Sequence, residues 1–158
     1  MKAAEEAGTS TGEDPLGFRL FNEIGIIEQL ARNRFERVLP DGLKVPHFAV
    51  LNHLVRLGDG KSPLRLARAF QVTKSTMTNT LQRLEARGLI EVAPDPGDGR
   101  GKLVFLTSAG RRMRQRSIEA LAPVLAEVEA LLGHEALVRT LPVLQALRAH
   151  LDAAREGG

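Results

Sequence analysis

One segment, Thr73 to Gly88, constrains the fold more than any other part of the chain. Thr73 is a favourable N-cap, because its hydroxyl can accept a hydrogen bond from a free N–H of the first helical turn. Met77, Leu81 and Leu84 follow at spacings of four and three, which places them on one helix face. Gly88 stands where a left-handed residue commonly ends a helix. The segment is therefore predicted to be a helix with one buried face.

The opposite face of this helix carries short polar and cationic side chains. A solvated helix face usually pairs glutamate with lysine one turn apart, whereas Glu85 is the one acidic residue here. Such a donor-rich face suits the close approach of a polyanion. Its residues are Lys74, Ser75, Thr78, Asn79, Gln82 and Arg83.

A shorter helix is predicted immediately upstream. Ser62 is an N-cap followed by Pro63 at the first helical position. Leu66 and Phe70 give this helix an apolar side, and Gln71-Val72 forms the turn into the next helix. Two short helices joined in this way form a helix-turn-helix, whose second helix enters the major groove of DNA.

A β-hairpin is predicted directly after the second helix. The segments 89–92 and 102–106 are short apolar strands, and 94–101 is dense in turn formers, so a long tip is expected. A hairpin in this place is a wing, with Arg100 at its tip and Lys102 at its root. An arginine on such a loop can enter the minor groove. The alternative is an ordinary surface hairpin with a solvated arginine.

Positive charge is concentrated around these elements. Residues 61–116 contain 12 Lys and Arg against 4 Asp and Glu, whereas residues 1–60 contain 7 against 9 and residues 117–158 contain 3 against 6. This distribution is typical of a nucleic-acid face. A membrane surface would also attract it, but no amphipathic helix with exposed aromatic residues accompanies the charge. DNA is therefore the predicted partner, and no membrane is expected.

The composition excludes several classes of protein. The chain has no cysteine, hence no disulfide, thiol nucleophile or thiolate metal site. It lacks an apolar run of about 18 residues, and its first residues do not form a signal peptide, so a cytoplasmic location is expected. There is no nucleophile–base pair, phosphate-binding loop or metal-ligand cluster. We therefore expect no enzymatic activity, no metal and no cofactor.

Long helices are predicted on both sides of the helix-turn-helix. Residues 1–15 are small and polar and are expected to form a flexible arm. Residues 16–39 form one long helix, and two helices follow over 107–154. Apolar residues of the first of these two alternate at spacings of three and four, as in a coiled coil. That helix is too long for a small domain to cover, so a second chain is its expected cover.

Several motifs lie between Val45 and Gly110, within a resemblance that spans roughly residues 18–152. The most specific is Asp98-x-Arg100-x-Lys102-x-x-x-Leu106-Thr107-x-x-Gly110. The others are Val45-Pro46, Phe48-x-x-Leu51-x-x-Leu54, Leu66-Ala67, Thr73-Lys74-Ser75-Thr76-Met77-Thr78 and Leu84-Glu85-x-x-Gly88-Leu89-Ile90. Together they resemble the MarR family of bacterial winged-helix regulators. Two positions depart from it: the family often has arginine where this chain has Asn79, and two adjacent arginines where it has Gly99-Arg100.

The resemblance implies a mainly α fold with a small β-wing. A winged helix-turn-helix DNA-binding domain over 46–106 is flanked by dimerisation helices over 16–39 and 107–154. The implied function is a sequence-specific transcriptional regulator, a repressor, bound as a homodimer to a pseudo-palindromic operator in double-stranded DNA. Two recognition helices would enter successive major grooves about 34 Å apart.

Roles follow for the candidate DNA-binding residues. Phosphates are the expected partners of Lys74, Ser75, Thr76 and Arg83. Thr78 and Asn79 lie nearest to base edges, and Asn79 can pair with adenine, while Gln82 contacts a base or is solvated. Arg100 enters the minor groove, braced by a carboxylate–guanidinium contact with Asp98. Ser62 and Lys102 complete the predicted set.

The resemblance further implies a small aromatic or anionic effector that releases DNA. The implied pocket residues are Phe18, Phe21, His47, Phe48, Leu51 and Met113, each of which is also compatible with a plain core role. An alternative function is a winged-helix module for protein interaction or assembly that does not read DNA sequence. The residues do not specify the operator, the regulated genes or the effector, and they do not distinguish a repressor from an activator.

Overall fold

The computed structural model describes residues 14–156, so the predicted arm lies outside the described residues except for Asp14 and Pro15. The elements in chain order are α1 Leu16–Val38, a short 3-10 helix Pro40–Gly42, α2 Val45–Leu57, α3 Pro63–Phe70, α4 Lys74–Ala86, β1 Ile90–Asp95, β2 Asp98–Leu106, α5 Ser108–Leu132 and α6 His134–Glu156. The two strands form one antiparallel hairpin. The predicted mainly α fold with a β-wing is confirmed.

The chain divides into two compact units, and the boundary falls within α1, after Arg34. None of the residues of α1 is buried. Most of its aromatic and aliphatic side chains are exposed, including Phe18, Phe21 and Leu30.

The second unit begins at Phe35 and contains the hydrophobic core. Helices α2, α3 and α4, the wing and the first half of α5 each contribute apolar side chains to one cluster. Leu51, Leu66, Leu84 and Val104 are almost completely removed from solvent. The apolar face predicted for the second helix of the helix-turn-helix packs into this cluster, which leaves the opposite face of α4 exposed.

Two predicted N-caps, Ser62 and Thr73, and a third N-cap at Thr107 fix where helices begin. Ser62 Oγ accepts a hydrogen bond from the Arg65 N–H at the start of α3. Thr73 Oγ1 accepts from the Thr76 N–H at the start of α4. Thr107 Oγ1 accepts from the Gly110 N–H at the start of α5 and donates to the carbonyl of Gly88. These caps satisfy backbone donors that a helix cannot pair internally.

The wing differs from the prediction. The strands extend to Asp95 and begin again at Asp98, so the tip is short and the predicted long tip over 94–101 is wrong. Pro94 pairs with Lys102, and an irregularity in the register places Asp95 opposite Asp98. Proline is tolerated in a strand with a free edge, so the turn formers did not interrupt the pairing.

An additional β-bridge at the base of the wing was not predicted. Lys61 forms an isolated antiparallel bridge with Val104. The Gly60 N–H donates to the Val104 carbonyl, and the Val104 N–H donates to the Lys61 carbonyl. This bridge ties the segment before α3 to β2 and so holds the wing beside the helix-turn-helix.

Candidate nucleic-acid interface

A groove of about 600 Å³ lies between α4 and the wing. One wall comes from α4 and the start of α3, and the other from β1 and β2. Seven of the predicted DNA-binding residues line it together: Ser62, Lys74, Thr78, Gln82, Asp98, Arg100 and Lys102. The structure therefore brings residues that are up to 40 positions apart in sequence to one surface.

The other four predicted residues, Ser75, Thr76, Asn79 and Arg83, are exposed on α4 but do not line this groove. Ser75 and Thr76 belong to the cap of the helix. The Thr73 hydroxyl lies 3.1 Å from the Ser75 hydroxyl and donates to the Thr76 hydroxyl across 2.9 Å. Both side chains thus stand at the N-terminus of α4, where free backbone N–H groups favour an anion.

Three side chains further along α4, those of Thr78, Asn79 and Arg83, have defined hydrogen-bonding roles. The Thr78 hydroxyl donates to the Lys74 carbonyl across 2.8 Å, so it can only accept from a bound partner. Arg83 Nε donates to Asn79 Oδ1 across 3.2 Å. The contact joins two exposed residues one helical turn apart.

Glu85 is a site residue for which the sequence predicted no role. Its Oε1 accepts a hydrogen bond from the Val92 N–H across 3.1 Å. It lies in the wall of the groove, so the one carboxylate on α4 attaches the helix to β1. Its position in the Leu84-Glu85 motif gave no sign of this partner, because the contact depends on where β1 packs.

The wing tip is held by two aspartates. Asp95 Oδ1 accepts from the Gly97 N–H, and Asp98 Oδ1 accepts from the Arg100 N–H across 3.1 Å. The expected carboxylate–guanidinium contact is therefore replaced by a contact to the Arg100 backbone. Asp98 shapes the turn and leaves the exposed guanidinium available.

The loop before α3 supplies another carboxylate that the sequence analysis missed. Asp59 Oδ2 accepts from the Leu106 N–H at the end of β2 across 3.1 Å. With the Lys61 bridge, this contact anchors the root of the wing. A Gly-Asp-Gly turn in sequence indicates only a loop, so nothing local signalled the contact.

The predicted effector residues occupy two different units. In the first unit, Phe18 and Phe21 are 59% and 50% exposed. In the second unit, Leu51 and Met113 are core residues, and Phe48 is half-buried against the core.

His47, the remaining predicted effector residue, is half-buried in α2 and its Nδ1 is buried without a hydrogen-bond partner. Burial lowers the pKa of His47, and the positive charges of Arg83 and Arg87 lower it further. The side chain therefore favours its neutral form.

Within residues 14–156, no group of three or more His, Asp or Glu side chains is arranged to hold a metal ion. Over the same described range, no helix is long and apolar enough to cross a membrane.

Comparison with known proteins identifies the family. A sequence model of the MarR family matches residues 41–101, which contain the helix-turn-helix and most of the wing. The transcriptional regulator HosA of Escherichia coli is 31% identical over 100 residues, which cover 63% of this chain and 73% of HosA. The chain belongs to the MarR family. The resemblance drawn from the sequence motifs is thereby confirmed.

Two further relatives match this MarR-family chain over shorter shares of their own length. The transcriptional activatory protein BadR of Rhodopseudomonas palustris is 32% identical over 62% of this chain and 55% of BadR. The HTH-type transcriptional repressor NicR of Pseudomonas putida is 30% identical over 61% of this chain and 60% of NicR. The chain thus spans less than two thirds of either protein. All three relatives are named as regulators, which fits the prediction of a non-enzyme.

Solved structures share the fold of this MarR-family chain. A MarR-family regulator from a Rhodococcus species has a TM-score of 0.75 and 20% identity, covering 85% of this chain and 96% of that one. The PcaV regulator of Streptomyces coelicolor, solved with its natural ligand, has a TM-score of 0.72 and 22% identity, covering 87% and 97%. At these identities the likeness concerns the fold alone.

Proposed function

We propose that this MarR-family chain is a sequence-specific transcriptional regulator that binds double-stranded DNA as a homodimer. The observation that carries the proposal is the groove between α4 and the wing, where Lys74, Arg100 and Lys102 face one space. Cations from a helix and from an adjacent hairpin suit one DNA duplex, whose major and minor grooves lie side by side. Residues 61–116 also carry a net positive charge, as binding to the anionic DNA backbone requires.

The proposed contacts follow from exposure and hydrogen-bonding capacity. Lys74, Ser75 and Thr76 stand at the start of α4 and bind phosphate. Thr78 and Gln82 face the base edges from the groove side of the helix. Arg100 enters the minor groove, while Asp98 fixes the turn that presents it. Ser62 and Lys102 bind the backbone at either side of the groove.

Dimerisation is supported by apolar side chains that the chain leaves exposed. In the first unit these are residues of α1. In the second unit they lie on the later part of α5 and on α6, where Leu131 is 82% and Val143 is 64% exposed. Apolar surface of this extent commonly marks a protein interface, and a two-fold axis would pair like helices. We propose 16–39 and 107–154 as the dimerisation helices on this basis, and sedimentation at several concentrations tests them.

We further propose release of DNA by a small aromatic or anionic effector. PcaV, which shares the fold, was solved with its natural ligand. In the second unit of this chain, His47 and Phe48 remain partly accessible, whereas Leu51 and Met113 are core. A ligand would act only through a different affinity for the bound and free arrangements of the dimer.

Repression is the proposed direction of regulation, with the protein acting in the cytoplasm. The relatives BadR and NicR are named as an activator and a repressor respectively. Similarity to them therefore does not decide between the two. A reporter gene with the operator overlapping its promoter tests this point directly, since a repressor lowers expression and an activator raises it.

The function is tested by selecting bound sequences from a pool of random duplexes at two salt concentrations. We expect a two-fold-symmetric motif with half-sites about one helical turn apart. Salt-sensitive binding without any motif would contradict sequence-specific regulation. That result would instead favour the alternative, a winged-helix module for protein interaction, in which Arg100 should be dispensable.

A further inference from the structure

Asn79 and Arg83 form a second polar surface on α4, separate from the groove beside the wing. Both side chains are exposed, and neither lines that groove. They are joined by the hydrogen bond from Arg83 Nε to Asn79 Oδ1. Because side chains on a helix lean toward its N-terminus, this contact directs Arg83 back along the helix toward its middle.

The hydrogen bond leaves a defined set of donors unused. Guanidinium carries five N–H donors in a planar fork and has no acceptor. The Nε–H is given to Asn79, and the two terminal nitrogens make no hydrogen bond or ion pair with any residue of 14–156. Glu85, the one carboxylate on α4, accepts from the Val92 N–H instead. The two terminal nitrogens of the Arg83 guanidinium are therefore available to donate to a partner with two adjacent acceptors.

Asn79 loses part of its hydrogen-bonding capacity in the same contact. Bidentate recognition of adenine requires the asparagine oxygen to accept from N6 and its amide nitrogen to donate to N7. In this structure the Asn79 oxygen already accepts from Arg83. The amide nitrogen and one lone pair of the oxygen remain, so pairing with adenine would compete with the contact that holds Arg83.

We propose that Arg83 reads a guanine in the major groove and that Asn79 is its positioning residue. Guanine presents O6 and N7 as adjacent acceptors, which match the two terminal nitrogens of an arginine. Adenine presents a donor at N6, which arginine cannot accommodate. A side chain tethered beforehand also loses less conformational freedom on binding. This inference rests on the proposed DNA-binding function and assigns the pair differently from the sequence prediction, in which Asn79 paired with adenine and Arg83 held phosphate.

The experiment compares operators selected by the wild type and by the variants Arg83→Lys, Asn79→Asp and Asn79→Ala. We expect a guanine in each wild-type half-site. Arg83→Lys should reduce the preference for guanine over adenine there by about 5- to 150-fold, because lysine cannot make the bidentate contact. Asn79→Asp should keep the guanine, since its carboxylate still accepts from Arg83 Nε, while Asn79→Ala should weaken the preference.

Arg56→Ala is the control, because this exposed arginine lies in the last turn of α2, outside the proposed dimerisation helices and outside the proposed DNA contacts. The motif should be unchanged in this variant. If Arg83 instead holds a phosphate, Arg83→Lys will keep the guanine and alter affinity for all duplexes alike, which overturns the inference. Loss of an adenine in both Asn79 variants, with no effect of Arg83→Lys, also overturns it. If the wild type yields no motif, the proposed function itself fails, and that outcome is distinct from the other two.

Discussion

Position 110 has room only for glycine because of the groups that surround it. A Cβ atom at this position would lie 2.0 Å from the Leu89 carbonyl oxygen and 2.8 Å from Leu106 Cδ1. The closest neighbour is backbone, which cannot rotate away. The glycine in the Leu106-Thr107-x-x-Gly110 motif is therefore required for α5 to pack against the root of the wing.

We predict that Gly110→Ala lowers the free energy of unfolding by about 1–3 kcal/mol, the usual cost of overpacking. Urea denaturation of the wild type and the variant measures this. Gly99→Ala is the matched control, because nothing lies within 4 Å of a Cβ built there. Equal stability of the Gly110 variant and the control would contradict the proposed contact.

The lowered pKa of His47 makes the stability of the fold depend on pH. Its pKa lies below the ordinary value of 6.5 because of burial, Arg83, Arg87 and Lys44, with Glu36 acting in the opposite direction. The unfolded chain therefore binds a proton at this residue at a higher pH than the folded chain does. Stability from this group is present above pH 6.5 and is lost as the pH falls toward the lowered folded-state pKa.

We predict that His47→Phe reduces the loss of stability between pH 7.5 and pH 5.5. The variant removes the titrating ring and also its buried Nδ1, which has no partner. Urea denaturation at the two pH values measures the difference. His53, whose pKa is also lowered by burial, titrates in both proteins and cancels in the comparison. If the free energy of unfolding depends on pH equally in the wild type and His47→Phe, His47 does not contribute to that dependence.

At the scale of elements, local signals predicted helix ends well. The predicted caps Ser62 and Thr73 both accept the expected backbone hydrogen bonds. Capping depends on residues within one turn, so it can be predicted from sequence. The bounds of α4 followed directly from Thr73 and Gly88.

The wing was predicted less well, because its length depends on pairing between strands. Turn formers in 94–101 indicated a long loop, yet Pro94 pairs with Lys102. Similarly, Glu85 and Asp59 bond to backbone groups 7 and 47 positions away. Contacts of this kind form only once the hairpin has packed, and no spacing rule anticipates them.

The Glu85 contact predicts how the wing is held against α4. Glu85→Ala leaves the Val92 N–H without its acceptor, at a cost of about 0.5–1.5 kcal/mol for one hydrogen bond. We expect faster hydrogen exchange at the Val92 amide and weaker binding to the selected operator. Glu85→Gln keeps an acceptor oxygen, so slow exchange should be retained. Equal exchange rates in the wild type and Glu85→Ala would show that the contact does not restrain the wing.

At the scale of the whole molecule, charge and exposed apolar surface are separated along the chain. The cationic stretch 61–116 contains α3, α4 and the wing, whereas the exposed apolar residues lie mainly on α1, late α5 and α6. The cationic stretch could be predicted by counting charged residues, and the exposed apolar face of α5 could be predicted from a helix too long for a small domain to cover. The partners themselves could not be predicted in the same way, since a single chain does not show which surface meets DNA or a second copy.

Arg100 lines the groove between α4 and the wing, which we propose as the DNA-binding surface. The measurement is the affinity for the selected operator over a series of salt concentrations, for the wild type, Arg100→Ala and the control Arg56→Ala. We predict weaker binding of Arg100→Ala to every duplex, with a slope of log affinity against log salt that is shallower by about 1.8, since each homodimer loses two such cations. The control should match the wild type. Equal affinities and slopes for the wild type and Arg100→Ala would contradict the assignment of the wing to DNA.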